Sequence, residues 1–182
     1  MPELRRPRAD ESEAVARCHI ACWREAYAAI VPAHILERAE LGERTQRWQQ
    51  HLADAELHVL AAFAGAECLG FILSGPPRDP SLPQDAGHVS ALYVRERAQG
   101  RGLGRRFMAA AAADWQARGG RALAVGVLAE NARARGFYEA MGGRLLHEGV
   151  WHWHGVALAD AHYRYDDLAG LAGLAARGDL AT

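Results

Sequence analysis

"AQGRGLGRRF", residues Ala98–Phe107, places three glycines and three arginines in ten positions. Glycine in an ordered segment costs about 0.5–1 kcal/mol relative to alanine. The stretch therefore reads as a turn, a close backbone approach to a ligand, or both. "HVSALYV" (His88–Val94) before it reads as a strand. Beyond the glycines the chain reads as a helix to about Arg118, stopped by Gly119-Gly120. A strand, a glycine bend and a helix opening leave successive amide N–H groups free at the positive end of the helix, which is an anion site. Arg101, Arg105 and Arg106 add positive charge around it. A P-loop needs Lys-Ser/Thr after its glycines, and neither follows Gly104. A dinucleotide fingerprint needs a third glycine where Phe107 stands.

The chain has 182 residues, the usual size of one domain, and half of them are hydrophobic. Nothing in its formal net charge of −1 points to sequence-independent nucleic-acid binding, which needs a basic surface. All 21 basic residues are arginine, and with so much alanine and glycine the composition fits a GC-rich bacterial genome. Three cysteines (Cys18, Cys22, Cys68) cannot all pair within the chain, and Cys18 and Cys22, four apart on a helix, read as core thiols. With no signal peptide and no long apolar run, the expected compartment is the cytoplasm, with no membrane association.

Working outward, Glu3–Arg8 reads as a first strand, and a helix starts at "ADESEAV", with Asp10 as cap and Glu13 reaching back. A second helix is expected from Ala33 to Leu52, burying Ile35, Leu41, Trp48 and Leu52. Leu57–Gly65 and Glu67–Gly75 form a hairpin around Gly65-Ala66, and Pro76–Gly87 is a loop. Arg121–Leu128 is an apolar strand buried on both faces. Asn131 caps a helix ending at Gly142-Gly143. Two strands, "RLLHEGVW" and "ALADAHYRYDD", come last. The elements mix without strict alternation, so parallel and antiparallel pairings share one sheet. Residues 1–167 form the domain, and 168–182 a tail, either a short helix or disordered.

In this order and spacing the motifs resemble the GCN5-related N-acetyltransferase (GNAT) superfamily. Leu92-Tyr93-Val94 matches the strand end of that family. Gln99, Gly102 and Gly104 match its Gln/Arg-x-x-Gly-x-Gly/Ala loop. Asn131, Phe137-Tyr138 and Gly142 match its next segment, and "CWREAYAAIVP" its early Trp…Tyr segment. The resemblance implies an α/β (α+β) GNAT fold: a mixed sheet of six to seven strands with a splayed parallel pair, flanked by helices. It implies acetyl transfer from acetyl-coenzyme A to a primary amine, on a small molecule, peptide or protein, through a ternary complex. It also implies a possible homodimer. The alternative is a non-catalytic acyl-coenzyme A-binding regulatory module.

The same resemblance implies the site. Backbone amides of Gln99, Gly100, Arg101, Gly102, Leu103 and Gly104 take the pyrophosphate, with the Arg105 charge beside them. The backbone of Leu92, Tyr93 and Val94 pairs with pantetheine, and the Leu92 amide faces the thioester carbonyl as an oxyanion donor. Asn131 contacts the pantetheine arm. Tyr138 protonates the departing thiolate; a phenol of pKa about 10 carries that proton at neutral pH. Phe137 reads as core. His88 stands where many relatives place a glutamate base, and either His88 or solvent takes the amine proton. Tyr27, Trp151 and Glu148 are acceptor-pocket candidates, with Asp79 and Asp85 as further acids. Trp151 and Trp153 share one side of their strand, His152 and His154 the other. His152 and His154 lack a third ligand, and no metal is expected.

Overall fold

The hairpin Leu57–Gly75 is the most locally determined part of the chain. In the computed structural model, which describes residues 2–38, 40–153 and 155–177 (side chains to residue 174), it forms β2 (His58–Ala64) and β3 (Glu67–Gly75). Gly65 turns between them at φ 61°, in the left-handed region where a side chain is strained. β1 (Glu3–Arg5) adds antiparallel to β2, with Leu4 opposite Ala62. Seven strands form one mixed sheet in the order β1-β2-β3-β4-β5-β7-β6, with β4 at Gly87–Val94, β5 at Leu123–Leu128, β6 at Arg144–Trp153 and β7 at Val156–Tyr165. The single parallel ladder runs between β4 and β5, registering Gly87–Val89 against Leu123–Val125. Six helices accompany the sheet among the described residues: α1 (Ser12–Tyr27), α2 (Ala33–Leu36), α3 (Leu41–Ala53), α4 (Leu103–Ala117), α5 (Ala132–Ala140) and α6 (Leu168–Arg177).

The chain divides into two compact units, Met1–Ser74 with Ala91–Phe107, and Gly75–Ser90 with Met108–Thr182. β4 and α4 each contribute to both. The core of the first unit packs Val15, Cys18 and Cys22 of α1 and Trp48 of α3 against Val59, Phe63, Cys68 and Phe71 of the sheet. In the second unit β5 is buried along its length except at Gly126, and β7 pairs antiparallel with both β5 and β6. Residues 178–182 of the expected tail lie outside the described residues, and α6 occupies its first ten positions.

Two local expectations are corrected. The helix over Ala33–Leu52 is broken into α2 and α3, with Glu40 extended at ψ 133°. Ile35 and Leu41 are six residues apart, about 240° around a continuous helix, so they would not share one face of it. Breaking the helix buries Ile35 and Leu36 from one piece and Trp48 from the other, with Leu41 and Leu52 half-buried against the same cluster. At the first helix, Glu11 rather than Glu13 reaches back, accepting from the Arg8 amide at 2.8 Å after a 3-10 turn at Ala9–Glu11. Arg5 fixes that choice, gripping both Glu11 carboxylate oxygens at 2.7 Å and holding the acid well below the usual carboxylate range.

Gly70 of β3 shows how tightly β4 is set. A Cβ there would lie 2.7 Å from the Tyr93 carbonyl oxygen and 3.1 Å from the Val94 Cα, both backbone atoms that cannot swing aside. Gly70→Ala is expected to destabilise the protein by about 1–3 kcal/mol, the usual cost of overpacking, read as a lower midpoint in urea denaturation.

Candidate active site

The glycine loop takes the form its composition requires. After β4 a 3-10 turn spans Glu96–Ala98, Gln99 is extended, and Gly100 and Gly102 stand at φ 73° and 77°. Both angles lie where side chains are strained, so these two glycines are conformational necessities. Ala98, Leu103 and Phe107 are buried and anchor the loop from beneath. The Gln99 side chain braces it to the strand, its Nε2 donating to the Val94 carbonyl at 2.8 Å. Glu25 of α1 braces the entry, accepting from Arg95 Nε and from the Glu96 amide, both at 2.8 Å. Arg97 pairs with Glu67. Among the described residues Arg101, Arg105 and Arg106 meet no carboxylate, and the first two are exposed.

Beside that loop, Tyr93 carries an aromatic cluster. Its hydroxyl accepts from Trp23 Nε1 at 2.9 Å and lies 3.1 Å from the Tyr27 hydroxyl. His19 sits beneath, 4.9 Å from the Phe71 ring centroid and 5.2 Å from that of Tyr93. Burial pushes the His19 imidazole down to about 3 and the Tyr27 phenol up. Cys18 and Cys22 are buried with sulfurs 3.9 Å apart, and Cys68 is buried with them, as core thiols should be.

The second unit holds the other expected residues. Asn131 caps α5, its Oδ1 accepting from the Ala134 amide at 3.1 Å. Tyr138 is buried, its ring 6.0 Å from that of Tyr163, and its carbonyl accepts from the Tyr165 hydroxyl at 3.0 Å. Phe137 is half-buried, packed 5.3 Å from Tyr138, rather than a core residue. The Glu148 carboxylate is taken by Arg135 at 3.0 Å. Asp85 is gripped at both oxygens by Arg164, and Asp79 caps its own loop through Ser81. Trp151 is exposed and stacks on Trp153 at 5.4 Å, placing both indoles on the side that alternation predicts. His154 lies outside the described residues, and no group of potential metal ligands occurs among those described.

His88 is half-buried at the start of β4, its Nδ1 3.3 Å from the Ser90 hydroxyl. Burial, with the neighbouring His162, pushes it down to about 4, so it is neutral at pH 7 and a weaker base than an ordinary imidazole. His162 and Asp160 form a pair that sequence reading missed. Asp160 Oδ2 accepts from His162 Nε2 at 3.0 Å, and His147 stacks on the ring at 4.4 Å. Asp160-x-His162 spacing puts the two on one face of a strand, which was the available signal. The room for the ring comes from Gly126 across the ladder, where a Cβ would stand 3.2 Å from His162 Cε1. His162 Nδ1 and Asp160 Oδ1 are buried without a partner among the described residues.

Residues 20–143, more than half the chain, match the Acetyltransferase (GNAT) family. The chain belongs to this family. GNAT proteins are acyltransferase enzymes. Among similar GNAT proteins, YuaI of Bacillus subtilis, described as an uncharacterized N-acetyltransferase, is 25% identical over 171 residues, covering 94% of this chain and 96% of YuaI. The fold also resembles PaiA N-acetyltransferase from Thermoplasma acidophilum in complex with coenzyme A (TM-score 0.67, 16% identity, 91% of this chain and 99% of that one). A third GNAT-fold match is YncA, a putative acetyltransferase from Salmonella typhimurium with acetyl-CoA (TM-score 0.70, 15% identity, 91% and 94%). Among the described residues no helix is long and apolar enough to cross a membrane.

The depressed histidines have a consequence for stability. A His whose native pKa is lowered contributes nothing above its unfolded value, since both states are then neutral. As pH falls below about 6.5 the unfolded imidazole protonates first, and stability drops until the native group titrates. The protein is therefore expected to lose stability from about pH 6.5 down to about 4 on account of His88 and on toward 3 on account of His19. NMR titration is expected to place the His88 midpoint near 4 rather than near 6.5.

Proposed function

We propose that this GNAT enzyme transfers acetyl from acetyl-coenzyme A directly to a primary amine within a ternary complex. The observation that carries the reading is the loop from Gln99 to Gly104. Two left-handed glycines lead into the start of α4, and the loop's arginines meet no protein carboxylate among the described residues. The Gln99 amide, expected to join them, donates instead to the Glu96 carbonyl at 3.1 Å, so the amides of Gly100–Gly104 bind the pyrophosphate there, with Arg105 beside them. Leu92, Tyr93 and Val94 offer backbone to pantetheine, and Asn131 contacts the arm while capping α5. The coenzyme-bound neighbours PaiA and YncA lend support at the level of the fold.

The amine nitrogen attacks the thioester carbon, forming C–N as the oxygen takes up charge. The Leu92 amide stabilises that oxyanion; such donors are worth about 3–4 kcal/mol. As C–S breaks, the thiolate takes the Tyr138 hydroxyl proton. The proton lost by the amine goes to neutral His88 or to solvent. Direct transfer is favoured over an acyl-enzyme because all three cysteines are buried in the core of the first unit. We assign the acetyltransferase domain to residues 1–167, with 168–182 as its tail, and its setting to the bacterial cytoplasm. Tyr27, Trp151 and Glu148 remain our candidates for contact with the acceptor.

The test is thiol release from acetyl-coenzyme A across an amine panel, with calorimetry for binding. Gly102→Val, which forces a branched side chain into a left-handed position, is expected to weaken acetyl-coenzyme A at least ~10-fold. Tyr138→Phe is expected to lower kcat by ~10²–10⁴-fold while leaving coenzyme affinity nearly unchanged. Coenzyme binding with no turnover on any amine would instead identify a regulatory module.

A further inference from the structure

Three acids that could draw a cationic acceptor are already engaged. Asp85 is held by Arg164, Glu148 by Arg135 and Glu25 by Arg95. The opposite sign is open. Arg44, in the first turn of α3, lies half-buried with its guanidinium carbon 5.0 Å from the centroid of a Trp23 ring. It meets no carboxylate among the described residues, and neither does Arg47 one turn further on. Arg5, Arg17, Arg95, Arg118, Arg135 and Arg164 each hold one. Burial and the nearby Arg47 pull Arg44 below its usual value. Tyr93 and Glu43 act the other way without offsetting that shift, and a half-buried cation with no carboxylate in contact is stabilised when an anion arrives to pair with it.

The position of this cation matters as much as its missing partner. Trp23, under Arg44, donates its indole N–H to the Tyr93 hydroxyl, which also meets Tyr27. Tyr93 lies between Leu92 and Val94, whose backbone is assigned to the thioester and pantetheine. One aromatic chain thus links the unpaired guanidinium to the reacting strand. A guanidinium fork matches a carboxylate bidentately, which a lysine at this position could not do.

We propose that Arg44, roofing Trp23, binds the carboxylate of the acceptor, so that the enzyme acetylates an α-amino acid rather than a polyamine. The proposal rests on the acetyltransferase reading above. It adds an anion subsite built from α1 and α3, with Trp23 and Tyr27 flanking the body of the amino acid.

The experiment compares free apolar amino acids with their amides and with the matching decarboxylated amines, in the wild type, Arg44→Gln and Arg44→Lys. kcat/KM from thiol release is read as the ratio of acid to amide. The wild type is expected to favour the acid by ~10- to 100-fold, the usual worth of a charge-assisted pair. Arg44→Gln is expected to bring the ratio near one, with Arg44→Lys between. Calorimetry with the same amino acids reads the subsite without turnover, and the heat is expected to be lost in Arg44→Gln. Amides accepted as well as acids by the wild type, a preference that survives Arg44→Gln, or no heat with any amino acid would each overturn the proposal. Failure of the acetyltransferase reading looks different: no coenzyme A heat and no thiol release with any amine, while Arg44-dependent binding of amino acids persists.

Discussion

Between Val94 and Leu103 the chain must turn from strand to helix; the amides of Arg95, Glu96, Ala98 and Gln99 are spent on protein acceptors, and the anion site is left to those from Gly100 onward. The turn is made by left-handed backbone at Gly100 and Gly102, positions where any side chain would be strained. Buried Ala98, Leu103 and Phe107 hold the turn from below, and the Gln99 side chain ties it back to the strand carbonyl at Val94. Everything assigned to the coenzyme depends on that arrangement. The N–H groups at the head of α4 have no intrahelical acceptor, and the helix dipole adds to their positive potential.

Charge placement supports the same division of labour. Nine of the described arginines are locked to carboxylates, including the fork of Arg164 on Asp85 and that of Arg5 on Glu11. Among the described residues Arg101, Arg105 and Arg106 at the loop, and Arg44 and Arg47 on α3, are not, nor are Arg24, Arg38, Arg121 and Arg133. The basic set is wholly arginine, so the chain presents no lysine amine that its own acetyl donor could modify. Guanidinium groups stay protonated and poorly nucleophilic at any working pH.

What was legible in the sequence was local. The Gly65 hairpin, the Asn131 cap, the glycine bend and the order of the family motifs depend on neighbours a few residues away. The family and its mixed sheet with a parallel pair could therefore be read from the chain alone. The break between α2 and α3 was not, because where Ile35 and Leu36 are buried, apart from the cluster around Trp48, depends on tertiary packing. Tertiary partners were likewise hidden: Glu25 and Arg95 are 70 residues apart, and nothing in either segment names the other. The Asp160–His162 pair was readable as a strand-face spacing, yet its unpartnered nitrogen depends on Gly126 standing opposite.

Glu25 makes α1 a lever with two loads. It lies two residues from Trp23 and two from Tyr27, and its carboxylate grips the Arg95 guanidinium and the Glu96 amide. A twist of this one helical turn that reshapes the tryptophan–tyrosine end must also tug the entry to the glycine bend. If the two ends hold the two substrates proposed above, occupancy at one would be felt at the other, and thermodynamic linkage would make the effect equal in both directions. The two substrates of a sequential reaction would sense one another through a single carboxylate, without any large movement of the sheet.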